Sequence, residues 1–168
     1  MKRNLFIIDD YVEPQKDAIY QTLKNKKKDY LFLNAQPFCN DVFEPRFYRQ
    51  KLLELCRDVS EQVNLDIAIC GALSPGMIEK MESYAFFNVH WLTILCDDEE
   101  RASERHKTSR LQEPVEIILK RNKWKMDNYK TLFPQVKLLN IKGMSDRSVA
   151  GAIDGWIVSC RGEMSDAD

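Results

Sequence analysis

Five short segments of nearly unbroken apolar character punctuate this chain, and a stretch of helical periodicity separates most of them. The segments are residues 5–9, 30–34, 66–70, 89–95 and 136–141. They are rich in Ile, Leu, Val and aromatic residues. A strand with one wet face alternates apolar and polar residues; a strand covered on both faces does not. The pattern therefore predicts central, parallel strands with helices on both sides.

The intervening stretches read as helices. In 46–62, Leu52, Cys56 and Val59 recur at helical spacing, with Val63 just beyond. In 113–129, Val115, Ile118, Leu119, Asn122 and Met126 do the same, with Pro114 in the first turn. Val149, Ile153, Trp156, Ile157 and Cys160 form one stripe, and Ser145 is placed to cap its helix. Shorter helices are expected over 75–83 and 98–106. Strands alternating with helices predict a three-layer α/β/α fold with a mostly parallel five-stranded sheet. No repeat or linker interrupts it. Residues 1–160 read as a single domain, and 161–168 as a frayed tail.

Ligands of such sheets sit beyond the carboxyl ends of the strands. After the first strand come Asp9 and Asp10, then Tyr11-Val12-Glu13-Pro14-Gln15-Lys16-Asp17 and a helical pattern. Set against the phosphate-loop pattern G-x-x-x-x-G-K-[ST], Lys16 falls on the lysine. Asp10 and Gln15 fall on the glycines, and Asp17 on the Ser/Thr. Glycines let successive N–H groups point at one anion. Asp10 and Glu13 place negative charge where a triphosphate would sit. Lys16 supplies a point charge without a cradle, so a plain strand–loop–helix connection is the simpler reading of the loop alone.

Other carboxyl-end loops carry charge too. Asn40, Asp41, Arg46 and Arg49 follow the second strand. Gly71-Ala72-Leu73-Ser74-Pro75-Gly76 follows the third. Asp97-Asp98-Glu99-Glu100 follows the fourth and leads to Arg101, Arg105 and Arg110. Arg101 and Arg105 are four apart and share a helix face. Guanidinium groups suit bidentate phosphate binding. A solvated helix with Glu–Arg pairs would look the same.

Composition narrows the classes. A formal charge of −1 over 168 residues gives no field for nucleic acid or an acidic membrane. No apolar run is long enough to span a bilayer, and the N-terminus lacks signal-peptide form. The five cysteines are scattered without a C-x-x-C, which suits reduced thiols in a cytoplasmic protein. With only two histidines, no metal cluster is expected. Cys39, alone in a carboxyl-end loop, reads as a structural thiol. Trp91, Trp124 and Trp156 read as core or half-buried. Tyr84-Ala85-Phe86-Phe87 reads as a buried loop or an exposed interface patch. A homo-oligomer stays open.

From Asp41 to Ile157 the order and spacing resemble a small P-loop kinase of the nucleoside/nucleotide, gluconate and shikimate type. Trp91-Leu92-Thr93-Ile94-Leu95-Cys96-Asp97-Asp98-Glu99-Glu100-Arg101 resembles the strand entering the lid. Arg105 and Arg110 resemble lid arginines. Val136 to Ile141, then Ser145 to Ile157, resembles the closing strand and helix. The resemblance implies ATP and Mg2+ as cofactors and a nucleotide or small molecule as substrate. It implies phosphate contacts from Asp10, Gln15, Lys16, Asp17 and Arg110. Asp41 would be the base or substrate anchor, Arg46 and Arg49 would hold the acceptor, and Lys16, Arg101 and Arg105 would act in catalysis.

The departures lie at the chemistry. Besides the altered loop, the third strand ends Ile69-Cys70-Gly71, where many such kinases place a magnesium-organising aspartate. Asp66 stands at the strand's far end. Phosphoryl transfer rests on positioning and on charge neutralisation by lysine, metal and arginine. A degenerate kinase, binding without turnover, is therefore as well supported as an enzyme. A weaker resemblance is to response-regulator receiver domains. Leu5 to Asp10 resembles their first strand and acidic pair, and Leu65 to Met77 the strand and loop of the phosphorylated aspartate. Gly71 stands where that aspartate would be. This alternative implies a pseudo-receiver acting through protein–protein contact.

Overall fold

The computed structural model describes residues 2–9, 21, 23, 29–34, 45–70, 85–96, 98–108 and 113–165, with backbone alone at 45–49, 105, 108 and 163–165. Five strands are described: β1 (Arg3–Asp9), β2 (Tyr30–Asn34), β3 (Asp66–Cys70), β4 (Phe87–Leu95) and β5 (Lys137–Asn140). Four helices are described: α1 (Pro45–Val63), α2 (Glu99–Thr108), α3 (Val115–Leu132) and α4 (Asp146–Ser165). The sheet runs β2-β3-β1-β4-β5, and every pairing is parallel. A receiver places β1 between β2 and β3. Here β1 lies between β3 and β4, so the receiver-like reading is wrong.

β1 is the axis of the fold. Leu5, Phe6, Ile7 and Ile8 are fully buried. Alternation sends Phe6 and Ile8 to one face, with Ala68, Cys70, Leu92 and Ile94, against Val149, Ala150, Ile153 and Ile157 of α4. Leu5 and Ile7 face the other way, with Ile67, Ile69 and Trp91, against Leu52, Leu53 and Cys56 of α1. Burying such side chains contributes about 1.5–3 kcal/mol each. The apolar pattern needed no alternation because both faces are covered.

Element ends follow local chemistry. Asn64, at φ 57°, ends α1 in the left-handed conformation that Asn tolerates. Ser60 Oγ donates to the Leu65 carbonyl at 2.5 Å and fixes the entry into β3. Gly143, at φ 74°, turns the chain after β5. Ser145 Oγ then accepts the Ser148 N–H at 3.1 Å, as expected of an N-cap. Phe87 belongs to β4 rather than to the preceding loop, while Phe86 is exposed. Trp124 is 53% exposed, the outer limit of the half-buried state expected, because it lies off the inward stripe of α3. Backbone helix continues to Ser165, four residues past the point where the composition suggests fraying. The helix expected over 75–83 lies outside the described residues.

A polar latch closes the amino edge of the sheet. Asp66 accepts the Asn4 backbone N–H at 2.9 Å and its Nδ2 at 3.0 Å. Arg161 of α4 donates to the same carboxylate at 3.1 Å and pairs with Asp29 at 2.6 Å. His90 Nε2 lies 3.1 Å from Asn4 Oδ1. Since Asn4 Oδ1 can only accept, that nitrogen carries the proton. The Arg161 hydrogen bond holds the Asp29 carboxyl below the usual carboxylate range. Arg161→Met leaves Asp66 partly buried without its cation. Urea denaturation is expected to show a loss of about 2–3 kcal/mol, with a conserved m-value.

Candidate functional site at the carboxyl edge

β1 delivers Asp9 to the carboxyl edge of the sheet, one residue before the altered phosphate loop. The residue is 8% exposed, and its odd position puts it on the α1 face with Leu5 and Ile7. Its register partner on β4 is Thr93, which is fully buried. Thr93 Oγ1 donates to Asp9 Oδ2 at 3.1 Å. From α3, Lys125 brings its ammonium to 3.8 Å from the same oxygen, and both side chains are at least 85% buried. Lys125 also lies 5.7 Å from the centre of the Tyr129 ring. Asp9, Thr93 and Lys125 thus join β1, β4 and α3 at one point.

The same stripe of α3 organises the end of β4. Ile118, Asn122, Lys125 and Tyr129 recur at helical spacing along the inward face. Asn122 Oδ1 accepts the Cys96 N–H at 3.2 Å, and its Nδ2 donates to the Ile118 carbonyl at 2.9 Å. That amide satisfies a backbone donor the ladder leaves open. Asp98 Oδ1 accepts the Glu100 N–H at 2.9 Å and caps α2.

Arg101 is the one predicted catalytic residue whose side chain is described. It is 13% exposed, donates to the Met144 carbonyl at 2.6 Å and pairs with Asp146 at 3.2 Å. Those bonds tie α2 to the start of α4. Arg105 lies on α2, and Arg46 and Arg49 on α1, by backbone alone. Asp10, Gln15, Lys16, Asp17, Asp41 and Arg110 lie outside the described residues, as does Cys39.

The third strand matters for metal chemistry. β3 ends in Ile69 and Cys70, both fully buried, and its only acid, Asp66, belongs to the opposite edge. Among the described residues Asp9 is the carboxylate nearest the expected position, since Ile8 pairs with Cys70. It is already engaged by Thr93 and Lys125. Among the described residues no group of three or more His, Cys, Asp and Glu gathers to hold a metal ion. Two clefts of about 470 Å³ are lined by other residues and do not include Asp9.

Sequence reasoning missed Thr93 and Lys125 and undervalued Asp9. The available signal was Lys125 itself, a charge at a position that completes the inward stripe of α3.

No family model and no curated protein matches this chain. Solved structures do. The tunicamycin resistance protein of Deinococcus radiodurans superposes with a TM-score of 0.64 at 12% identity, covering 92% of this chain and 95% of that one. A gluconokinase from Sinorhizobium meliloti gives 0.55 at 9% identity, with 98% of each chain covered. The protein has the α/β fold of the P-loop kinases. Among the described residues no helix is long and apolar enough to cross a membrane.

The Asp9 charge reaches Tyr129. Burial first, and Asp9 second, push the Tyr129 phenol up to about 12. Burial and the hydrogen bond to Asp154 raise Tyr30 as well. The folded state then keeps protons that the unfolded chain releases near pH 10. This stabilisation is complete below about pH 10 and declines as pH rises toward the folded values. Tyrosinate absorbance should show at least two late-titrating phenols, with urea stability falling above about pH 10. Asp9→Asn should bring Tyr129 down and leave Tyr30 unchanged.

Proposed function

We propose that this protein binds a nucleotide at the carboxyl edge of its sheet, and that any phosphoryl transfer to a small molecule or nucleotide is slow. The supporting observation is the Asp9–Thr93–Lys125 cluster at the end of the central strand, where the chain enters the loop bearing Lys16. In this reading Lys16 contacts phosphate from the loop, with Asp10, Gln15 and Asp17 beside it. Asp41 anchors or deprotonates the acceptor, Arg46 and Arg49 hold it, and Arg105 and Arg110 clamp the transferred group. The likeness to a gluconokinase and to a resistance protein supports a small-molecule or nucleotide acceptor. ATP is the proposed nucleotide.

A catalytically silent binder is the second reading. Two observations favour it over a fast kinase. β3 brings no carboxylate to the edge, and Arg101 is held by α4. Catalysis of this transfer needs charge neutralised around the moving group.

Calorimetry with ATP and ADP tests the proposal. Binding is expected in the micromolar to millimolar range, weakened about tenfold or more in Lys16→Ala through loss of a phosphate-contacting cation. An undetectable heat at millimolar nucleotide would sink it. An acceptor screen for ADP release then separates the two readings: turnover selects the enzyme, binding without turnover the silent form.

A further inference from the structure

The outward face of α3 carries an apolar stripe. Ile117 is 46% exposed, Trp124 53% and Leu132 54%. They stand seven and eight residues apart, about two turns each, so one line along the helix joins them. The opposite face, with Ile118, Asn122 and Tyr129, is buried. Large apolar groups exposed in a row mark an interaction surface, where a single one does not. Trp124 sits at the middle of the stripe. Its ring packs at 84° to that of Tyr129, with centroids 6.1 Å apart. Tyr129 is itself buried, so the indole is braced before any partner arrives. Tryptophan is enriched among the residues that dominate interface energy, and a preorganised one loses less entropy on binding.

We infer that α3 packs antiparallel against α3 of a second copy of this chain, about a two-fold axis at Trp124. The stripe is self-complementary. Ile117 and Leu132 lie almost equally far from Trp124, so antiparallel pairing sets Trp124 on its counterpart and Ile117 on the partner's Leu132. The charges agree. Lys120 and Asp127 are both exposed and seven apart, so they share one flank of the stripe. A two-fold axis sets that flank against itself. Lys120 then comes level with the partner's Asp127 to within about one residue, a rise of about 1.5 Å, and the axis repeats the pair. The partner's Lys120 is about eight residues further along, so the like charges stay roughly 12 Å apart. On the other flank Arg121 pairs with Glu113 of its own chain and comes level with the partner's Asn128, not with a cation. A partner of uniform negative charge, such as an acidic peptide or an anionic lipid surface, would meet Asp127 unfavourably. The inference does not depend on nucleotide binding. It does bear on the carboxyl edge, since the interface helix is also the one that carries Asn122 and Lys125.

Sedimentation equilibrium of the full chain at low salt is the test, with circular dichroism and urea denaturation of each variant to confirm folding. Wild type is expected to dimerise with a micromolar Kd. Trp124→Ala should weaken the dimer by about tenfold or more. Asp127→Lys and Lys120→Asp each make the cross pairs repulsive and should each weaken it by about tenfold. Mixing these two singly substituted chains makes both cross pairs attractive again, and affinity should return to within about threefold of wild type. A wild-type monomer at every concentration overturns the inference. If its tryptophan emission then shifts to the blue on phosphatidylglycerol vesicles, and Trp124→Phe abolishes the shift, the stripe belongs to a lipid surface. A wild-type dimer that all three variants leave intact puts the interface on another face and overturns the inference too. So does a mixture of the two charge variants that stays as weak as either alone.

Discussion

The architecture depends on enclosing one strand completely. β1 has a strand on each edge and a packed helical layer on each face, so Leu5 to Ile8 lie fully out of water. The two strands that flank it arrive some sixty and eighty residues later, as Leu5 pairs with Ile67 and Val89. Neither core layer exists without it. The amino end of β1 meets Asp66, and its carboxyl end carries Asp9. One acid thus fastens each end of the sheet, for different purposes.

Those two purposes explain why the acids behave differently. At the amino edge, Asp66 is saturated by a backbone N–H, an amide and a guanidinium. Such a group specifies packing and leaves nothing to offer a ligand. At the carboxyl edge, Asp9 receives a hydroxyl at hydrogen-bond distance and an ammonium that stands back. Arg101, read from sequence as a phosphate clamp, also has a structural tie, because its guanidinium bonds Met144 and pairs with Asp146.

Much of the fold was legible because burial on both faces writes itself as apolar runs. β2 and β3 fall where the runs are, while β1 and β4 each extend two residues further toward their amino ends. Those extensions include Arg3 and Asn88, which pair in the sheet without apolar side chains. The site was less legible, and the reason is distance along the chain. Asp9 meets a hydroxyl 84 residues away, and its lysine comes from another layer. Neither partner has a motif. Strand order separated kinase-like from receiver-like, and no single segment of sequence carries strand order. The acidic pair at the end of β1 fitted both.

The amino-edge latch has a consequence for how the chain is born. Arg161 must reach Asp29 and Asp66, which leave the ribosome far earlier. Until α4 is made, one face of β1 and the Asp66 carboxylate have no cover from it. A nascent chain stopped short of α4 therefore holds a half-clad sheet, the kind of species that recruits chaperones or aggregates. Closing the sheet waits for the emergence of α4 rather than for the central strand on which that helix closes.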